Sequence, residues 1–218
     1  MKFLGAPSSG SNAGTTWSHN RFGQYTRNRT TPVNPNSTPQ GIVRARLSAN
    51  ASSWRALTDL QRAGWESLGN SMTRTDALGS SYTLTGFLAF CSVNNNLALM
   101  GNSLLDDAPA LSTPDTILTC TVTLTAASLS IAYTPTPMPT GARIATFASP
   151  QRSAGRAFEA DLRFIQVSAA AAASPVDAFA AYSAKLGTPV VGNRIFFAMV
   201  SMFNGFESGP FRTSKVVA

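Results

Sequence analysis

The chain has 218 residues, enough for one large domain or two small ones. Its hydrophobic fraction of 44% supports a globular core, while charged residues make up 12%, about half the usual ~25%. With one His, two Cys that form no CxxC pair, and no run near the ~18 apolar residues of a membrane span, the composition argues against a zinc centre and against a spanning helix. The net charge of +7 is not spread evenly. Before Asp59, the first acidic residue, stand Lys2, Arg21, Arg27, Arg29, Arg44, Arg46 and Arg55, and from Asp59 onward acids and bases balance. Two readings of this segregation stand: a contact surface for something acidic, or Arg solvating a polar, loop-rich arm. The interleaving of Trp17, Phe22 and Tyr25 with these cations favours the contact surface.

Residues 1–13 are Gly, Ser, Ala and Pro without periodicity and read as extended or mobile in isolation. Residues 14–19 and 24–30 flank Asn20-Arg21-Phe22-Gly23, which predicts a hairpin with a short Gly-containing loop. Such a hairpin alone is marginal in water, so it must pack on its own helices or on a partner. Three prolines fix residues 31–39 as an extended segment. Ser37 or Thr38 then caps a helix with Pro39 in its first turn. Ile42, Leu47, Trp54 and Leu57 supply its apolar positions. Thr58-Asp59-Leu60-Gln61 is a capping box that opens a second helix, in which Leu60, Gly64 and Leu68 recur beside Trp65. Residues 70–84 read as loop with a short strand at Tyr82–Leu84. Thr85 caps a third helix that stops at Gly101 and presents Phe87, Phe90, Cys91, Asn94 and Ala98 on one face. Trp54, Trp65, Phe87 and Phe90 are expected to be buried together.

Residues 102–114 read as a linker. Beyond it the apolar period changes to two: Leu118, Cys120, Val122 and Leu124 alternate with Thr, and Leu129, Ile131 and Tyr133 follow a turn at Ala126-Ala127. Further strands are expected near 143–148 and 160–168. A short helix starts at Ser174-Pro175-Val176-Asp177 and ends at Leu186-Gly187. The last unit is a hairpin, Arg194–Phe203 and a return strand to Val217 around Asn204-Gly205, since Asn-Gly is the strongest local hairpin signal. The fold class is α+β: an N-terminal β-hairpin with a three-helix unit, then a C-terminal antiparallel β-sandwich. The expected organisation is a basic arm and hairpin over 1–35, a helical domain over 36–101, a linker over 102–114 and the sandwich over 115–218.

The residues hold no recognisable catalytic constellation. A Ser-His-Asp or Cys-His set would need His19, which lies in the hairpin beside Asn20 and Arg21, in no nucleophile context. Asp106-Asp107 is the one adjacent carboxylate pair, and neighbouring side chains diverge, so a linker or cap explains it better than acid–base work. Phosphate-loop and dinucleotide glycine patterns are absent. Cys91 and Cys120 are expected as buried thiols and not as a disulfide. No catalytic residue, cofactor or metal is assigned, and the candidate site is a surface formed by Trp17, Arg21, Phe22, Tyr25, Arg27 and Arg29.

Three blocks in fixed order, RNRTTPVNPNSTPQ (27–40), WRALTDLQRAGW (54–65) and LTGFLAFCSVNNNLAL (84–99), resemble an uncharacterised family of small bacterial and prophage-encoded proteins. The likeness spans roughly residues 14–100. RIFFAMVSMFNGFESGPFRTSKVV (194–217) is similar to the last two strands of fibronectin type III domains, although a helix at 175–186 departs from that pattern. The family carries no activity that transfers. Its phage-like context implies a non-enzymatic bacteriophage virion protein, a capsid decoration or cement subunit or a tail-associated one, attached through the basic N-terminal region to other virion subunits in a multi-copy assembly. MKFLGAPSSG lacks the apolar core of a signal peptide, so synthesis in the host cytoplasm is expected, without a membrane partner. A bacterial surface or secreted module with a glycan-binding sandwich is the alternative. Nucleic-acid binding by the basic arm ranks lower, because neither a recognition helix nor an RNA-binding motif is present.

Overall fold

A computed structural model describes residues 9–21, 23–31, 33–76 and 79–218. Among the described residues the chain holds four helices and several antiparallel sheets, an α+β combination. It divides into two compact units, residues 1–44 and 45–218.

The first unit is built on β1 (Gly10–Asn12), β2 (Thr15–Asn20) and β3 (Gly23–Asn28), in that spatial order. The β2–β3 hairpin falls where the Gly23 turn places it, with Gly23 at φ 109°. β1 is an addition to the expected hairpin. It folds back through Ala13, at φ 49°, and pairs Gly10 with Trp17. Three residues without alternation leave no period to read, which is why the strand is invisible in sequence. Helix α1 (Thr38–Ala56) then begins with Pro39 in its first turn, and Arg44 donates 3.1 Å hydrogen bonds to the side chains of both Asn34 and Asn36.

In the second unit α1 ends beside α2 (Asp59–Ser71), β4 (Thr73–Thr75), β5 (Ser81–Thr83) and α3 (Gly86–Met100). The Thr58–Gln61 capping box forms, Thr85 caps α3, and Gly101 closes it in the left-handed region at φ 72°. Trp65 is fully buried and Phe90 nearly so. Trp54 and Phe87 pack against them as half-buried rings, with centroids 5.5 Å from Trp54 to Phe90 and 5.2 Å from Trp65 to Phe90. The four aromatic residues therefore share one cluster, as the helical periods predict.

Three local expectations change. Leu57, just past the end of α1, is buried, but Ile42 and Leu47 on the helix are 49% and 53% exposed. Leu60 is 85% exposed, since it lies about 140° round α2 from Trp65. Ala98 faces out of α3, while Val93, Leu97 and Met100 join its buried face. The loop at 70–84 is also more ordered than expected, with β4 and β5 pairing as a small hairpin.

Residues 102–114 contain no helix or strand, yet they are tied to the helices. Trp65 Nε1 donates to the Asp106 carbonyl at 2.7 Å, and the Asn94 amide exchanges two hydrogen bonds with the Leu105 backbone. The strands that follow are β6 (Thr119–Leu124), β7 (Leu129–Thr134), β8 (Arg143–Ala148), β9 (Arg152–Ser153), β10 (Arg163–Val167) and β11 (Val176–Asp177). Helix α4 (Phe179–Leu186) precedes β12 (Asn193–Phe203), β13 (Phe206–Glu207) and β14 (Phe211–Val216). The α4 helix starts later than expected: Val176-Asp177 pairs with β7 instead, and the Asp177 carboxylate accepts the Phe179 N–H at 2.9 Å.

One sheet runs β10-β8-β12-β13, with β14 and β9 also on β12, and a second runs β11-β7-β6. Side chains of both meet in one core, Val122, Leu129, Ile131 and Tyr133 from the smaller sheet against Ile144, Ile195, Phe197 and Met199 from the larger. Tyr182 of α4 completes this core and donates to the Ser149 carbonyl. The Asn204-Gly205 hairpin seats on the helices: Asn96 Nδ2 donates to the Gly205 carbonyl at 2.9 Å, and Phe206 joins the Trp65–Phe90 cluster.

Candidate interaction surface

The arm is a three-stranded sheet without a core. Among the described residues from 9 to 44 none is buried, and the most covered positions on β2 and β3 are only half-buried. Cross-strand partners share a face, so the register sorts the side chains. Trp17 stands opposite Thr26 on one face. Tyr25, opposite Ser18, and Arg27, opposite Thr16, stand on the other. The strands thus bring Tyr25 and Arg27 together and set Trp17 apart from them. Arg21 lies in the turn, and Arg29 follows β3, its N–H held by the Gly14 carbonyl at 2.8 Å. Phe22 lies outside the described residues.

The electrostatics follow the sequence. Among the described residues every ion pair uses a cation after Asp59: Arg62 with Asp59, Arg74 with Glu207, Arg152 and Arg156 with Glu159, and Arg152 and Arg163 with Asp161. Among the described residues Arg27, Arg29, Arg46 and Arg55 have no acidic partner, and Arg44 is engaged by neutral amides alone. Among the described residues of the arm, then, no side chain is buried, and Arg27 and Arg29 stand without an acidic partner.

The other candidate groups are placed as follows. His19 is exposed near the end of β2, opposite Gln24. Asp106 and Asp107 are exposed in the segment bound to α2 and α3. Cys91 and Cys120 are free thiols, Cys91 buried and Cys120 half-buried with its Sγ 3.4 Å from Met199 Sδ. Among the described residues no group of three or more His, Cys, Asp or Glu is arranged to hold a metal ion, and no helix is long and apolar enough to cross a membrane. A cleft of about 220 Å³ lies between α2, α3 and β13, crossed by the Arg74–Glu207 pair at 3.7 Å. The sequence reading passed over Glu159, a buried carboxylate that accepts from Arg152, Arg156 and the Asp161 N–H. Its spacing from Arg152 matches no regular element, so only the folded loop reveals the pairing.

No protein-family model matches the chain, and no curated protein is significantly similar to it.

Proposed function

We propose that this chain is a non-enzymatic structural subunit of a bacteriophage virion, attached by its N-terminal arm to the capsid or the tail. One observation carries the reading: the described part of the arm has no buried residue, and Arg27 and Arg29 have no acidic partner among the described residues. A sheet without an apolar face needs a partner for stability. Aromatic and Arg side chains are the types that dominate interface energetics. The phage context comes from the resemblance of the three sequence blocks. In this reading the two sheets that share the Val122–Phe197 core form a sandwich of the fibronectin type III kind, which projects from the particle.

Deleting residues 1–35 tests it. The truncated chain is expected to unfold at the wild-type midpoint and to be missing from purified particles. A truncated chain that still joins particles, or a wild-type chain that is never found in them, would sink the proposal.

A further inference from the structure

The loop between β9 and β10 holds Phe158 64% exposed. A single exposed aromatic is ordinary. This one is fixed in place from below. The side chain of Glu159, only 5% exposed, accepts from Arg152, from Arg156 at 3.2 Å and from the Asp161 N–H at 3.0 Å. Arg156 Nε also donates to the Phe158 carbonyl at 2.8 Å. A neutralised, buried carboxylate thus locks the loop while the ring points to solvent.

Behind the ring lies a groove of about 200 Å³ lined by Phe158, Leu162, Phe196, Arg212 and Ser214. The Arg212 guanidinium stands over the Phe158 ring, 6.0 Å from its centroid, and makes no ion pair among the described residues. Strand register puts Ser214 opposite Phe196 and Arg212 opposite Ala198, so both point to the groove face of β14. Arg194, two residues before Phe196 on the same face, has a buried Nε without a hydrogen-bond partner among the described residues. It shares with Ser214 an adjoining open depression.

We propose that this groove binds a sugar ring bearing a carboxylate, such as a uronic or sialic acid at the end of a glycan. The apolar face of the ring lies on Phe158, the carboxylate meets the Arg212 fork, and a ring hydroxyl reaches Ser214. The volume takes one ring and is open on one side, where the rest of the glycan continues into solvent. Glu159 does not repel the anion, because Arg152 and Arg156 neutralise it. The inference stands apart from the virion reading and uses none of the arm.

The test is calorimetric titration of the full chain with trisaccharides ending in glucuronate or in N-acetylneuraminate, with an uncharged glucose trisaccharide as control. At least one acidic sugar should bind, with the neutral one weaker by about tenfold. Phe158→Ala and Arg212→Ala should each weaken binding by about tenfold at an unchanged unfolding midpoint, while Phe158→Tyr retains it. A double variant, Arg27→Ala with Arg29→Ala, should bind like the wild type, which separates this site from general attraction to a basic protein. The proposal is overturned if neither acidic sugar binds, if Phe158→Ala and Arg212→Ala bind normally, or if the loss follows Arg27 and Arg29 instead.

Discussion

Gly205 is one point at which the strand-rich part of the second unit rests on its helices, beside the packing of Met100 on Ala145 and Met202, and replacing it with Ala measures that contact. Asn204 and Gly205 form the hairpin turn at φ 49° and 81°. A Cβ at Gly205 would stand 2.6 Å from Val93 Cγ1 and 2.8 Å from the Val93 carbonyl oxygen. The second contact is with helical backbone, so a rotamer change cannot relieve it. The positive φ costs roughly 1–2 kcal/mol for an L-residue. Forcing the hairpin away from α3 adds roughly 1–3 kcal/mol, the range for overpacking a filled interior. Together these give about 2–5 kcal/mol, a large part of a typical domain's stability. Gly101→Ala is the control: Gly101 also has a positive φ, at 72°, but a Cβ there meets nothing within 4 Å. It should show the conformational part alone. Urea unfolding monitored by tryptophan fluorescence and by far-UV dichroism gives both values from the shift in midpoint at constant slope. Equal losses in Gly205→Ala and Gly101→Ala would refute the seating of the hairpin on α3.

The Glu159 carboxyl is held below the usual carboxylate range, first by the Asp161 N–H and then by Arg152 and Arg156, against the opposing effect of burial. A depressed folded pKa stabilises fully above the unfolded value of about 4.3 and loses that effect as pH falls through the folded value. Melting temperatures of wild type and Glu159→Gln, taken from about pH 3 to about pH 7, should therefore differ most at neutral pH and converge in acid; a constant gap would contradict the pairing. Burial pushes the Cys120 thiol up to about 11. At pH 8 its thiolate is scarcer by about two orders of magnitude than that of a free Cys, so disulfide-exchange labelling should be slow until the protein unfolds, and labelling at the free-thiol rate would count against its placement beside Met199.

Signals that act within a few residues were legible. The Thr58–Gln61 box, the Thr85 cap, the Gly101 stop and the Asn204-Gly205 turn depend on local hydrogen bonds and backbone freedom, and each stands where the sequence puts it. Period-two alternation likewise marks Val122 and Leu124 of β6 and Leu129, Ile131 and Tyr133 of β7 as core positions, although Leu118, in the same period just before β6, is 68% exposed. What failed was what depends on a distant neighbour. Ile42 and Leu47 keep the period of a buried stripe, but periodicity does not reveal whether anything covers it. β1, β9 and β11 have two or three residues each, and their partner strands alone define them. The Phe158 groove joins a loop to β12 and β14 across more than fifty residues, with no spacing to mark it.

The chemistry of the arm also bears on whether the protein assembles by itself. Six of the seven cations before Asp59 are Arg, whose planar fork matches carboxylate or phosphate oxygens in pairs. A second copy of the chain has few such oxygens to offer. Of the ten acids, Asp59, Glu159, Asp161 and Glu207 are in ion pairs. Glu66, Asp76 and Asp177 accept from the N–H groups of Gly86, Ser80 and Phe179. Asp106, Asp107 and Asp115 are the remaining three, all exposed. Like-signed arms approaching one another at low salt would repel, since the Debye length reaches about 30 Å at 0.01 M. The purified chain should therefore sediment as a monomer at low ionic strength, and it should gain mass only when an acidic partner is added. Concentration-dependent assembly of the chain alone, strengthened as salt is removed, would mean that those three carboxylates suffice and that the arm is built to meet its own copies.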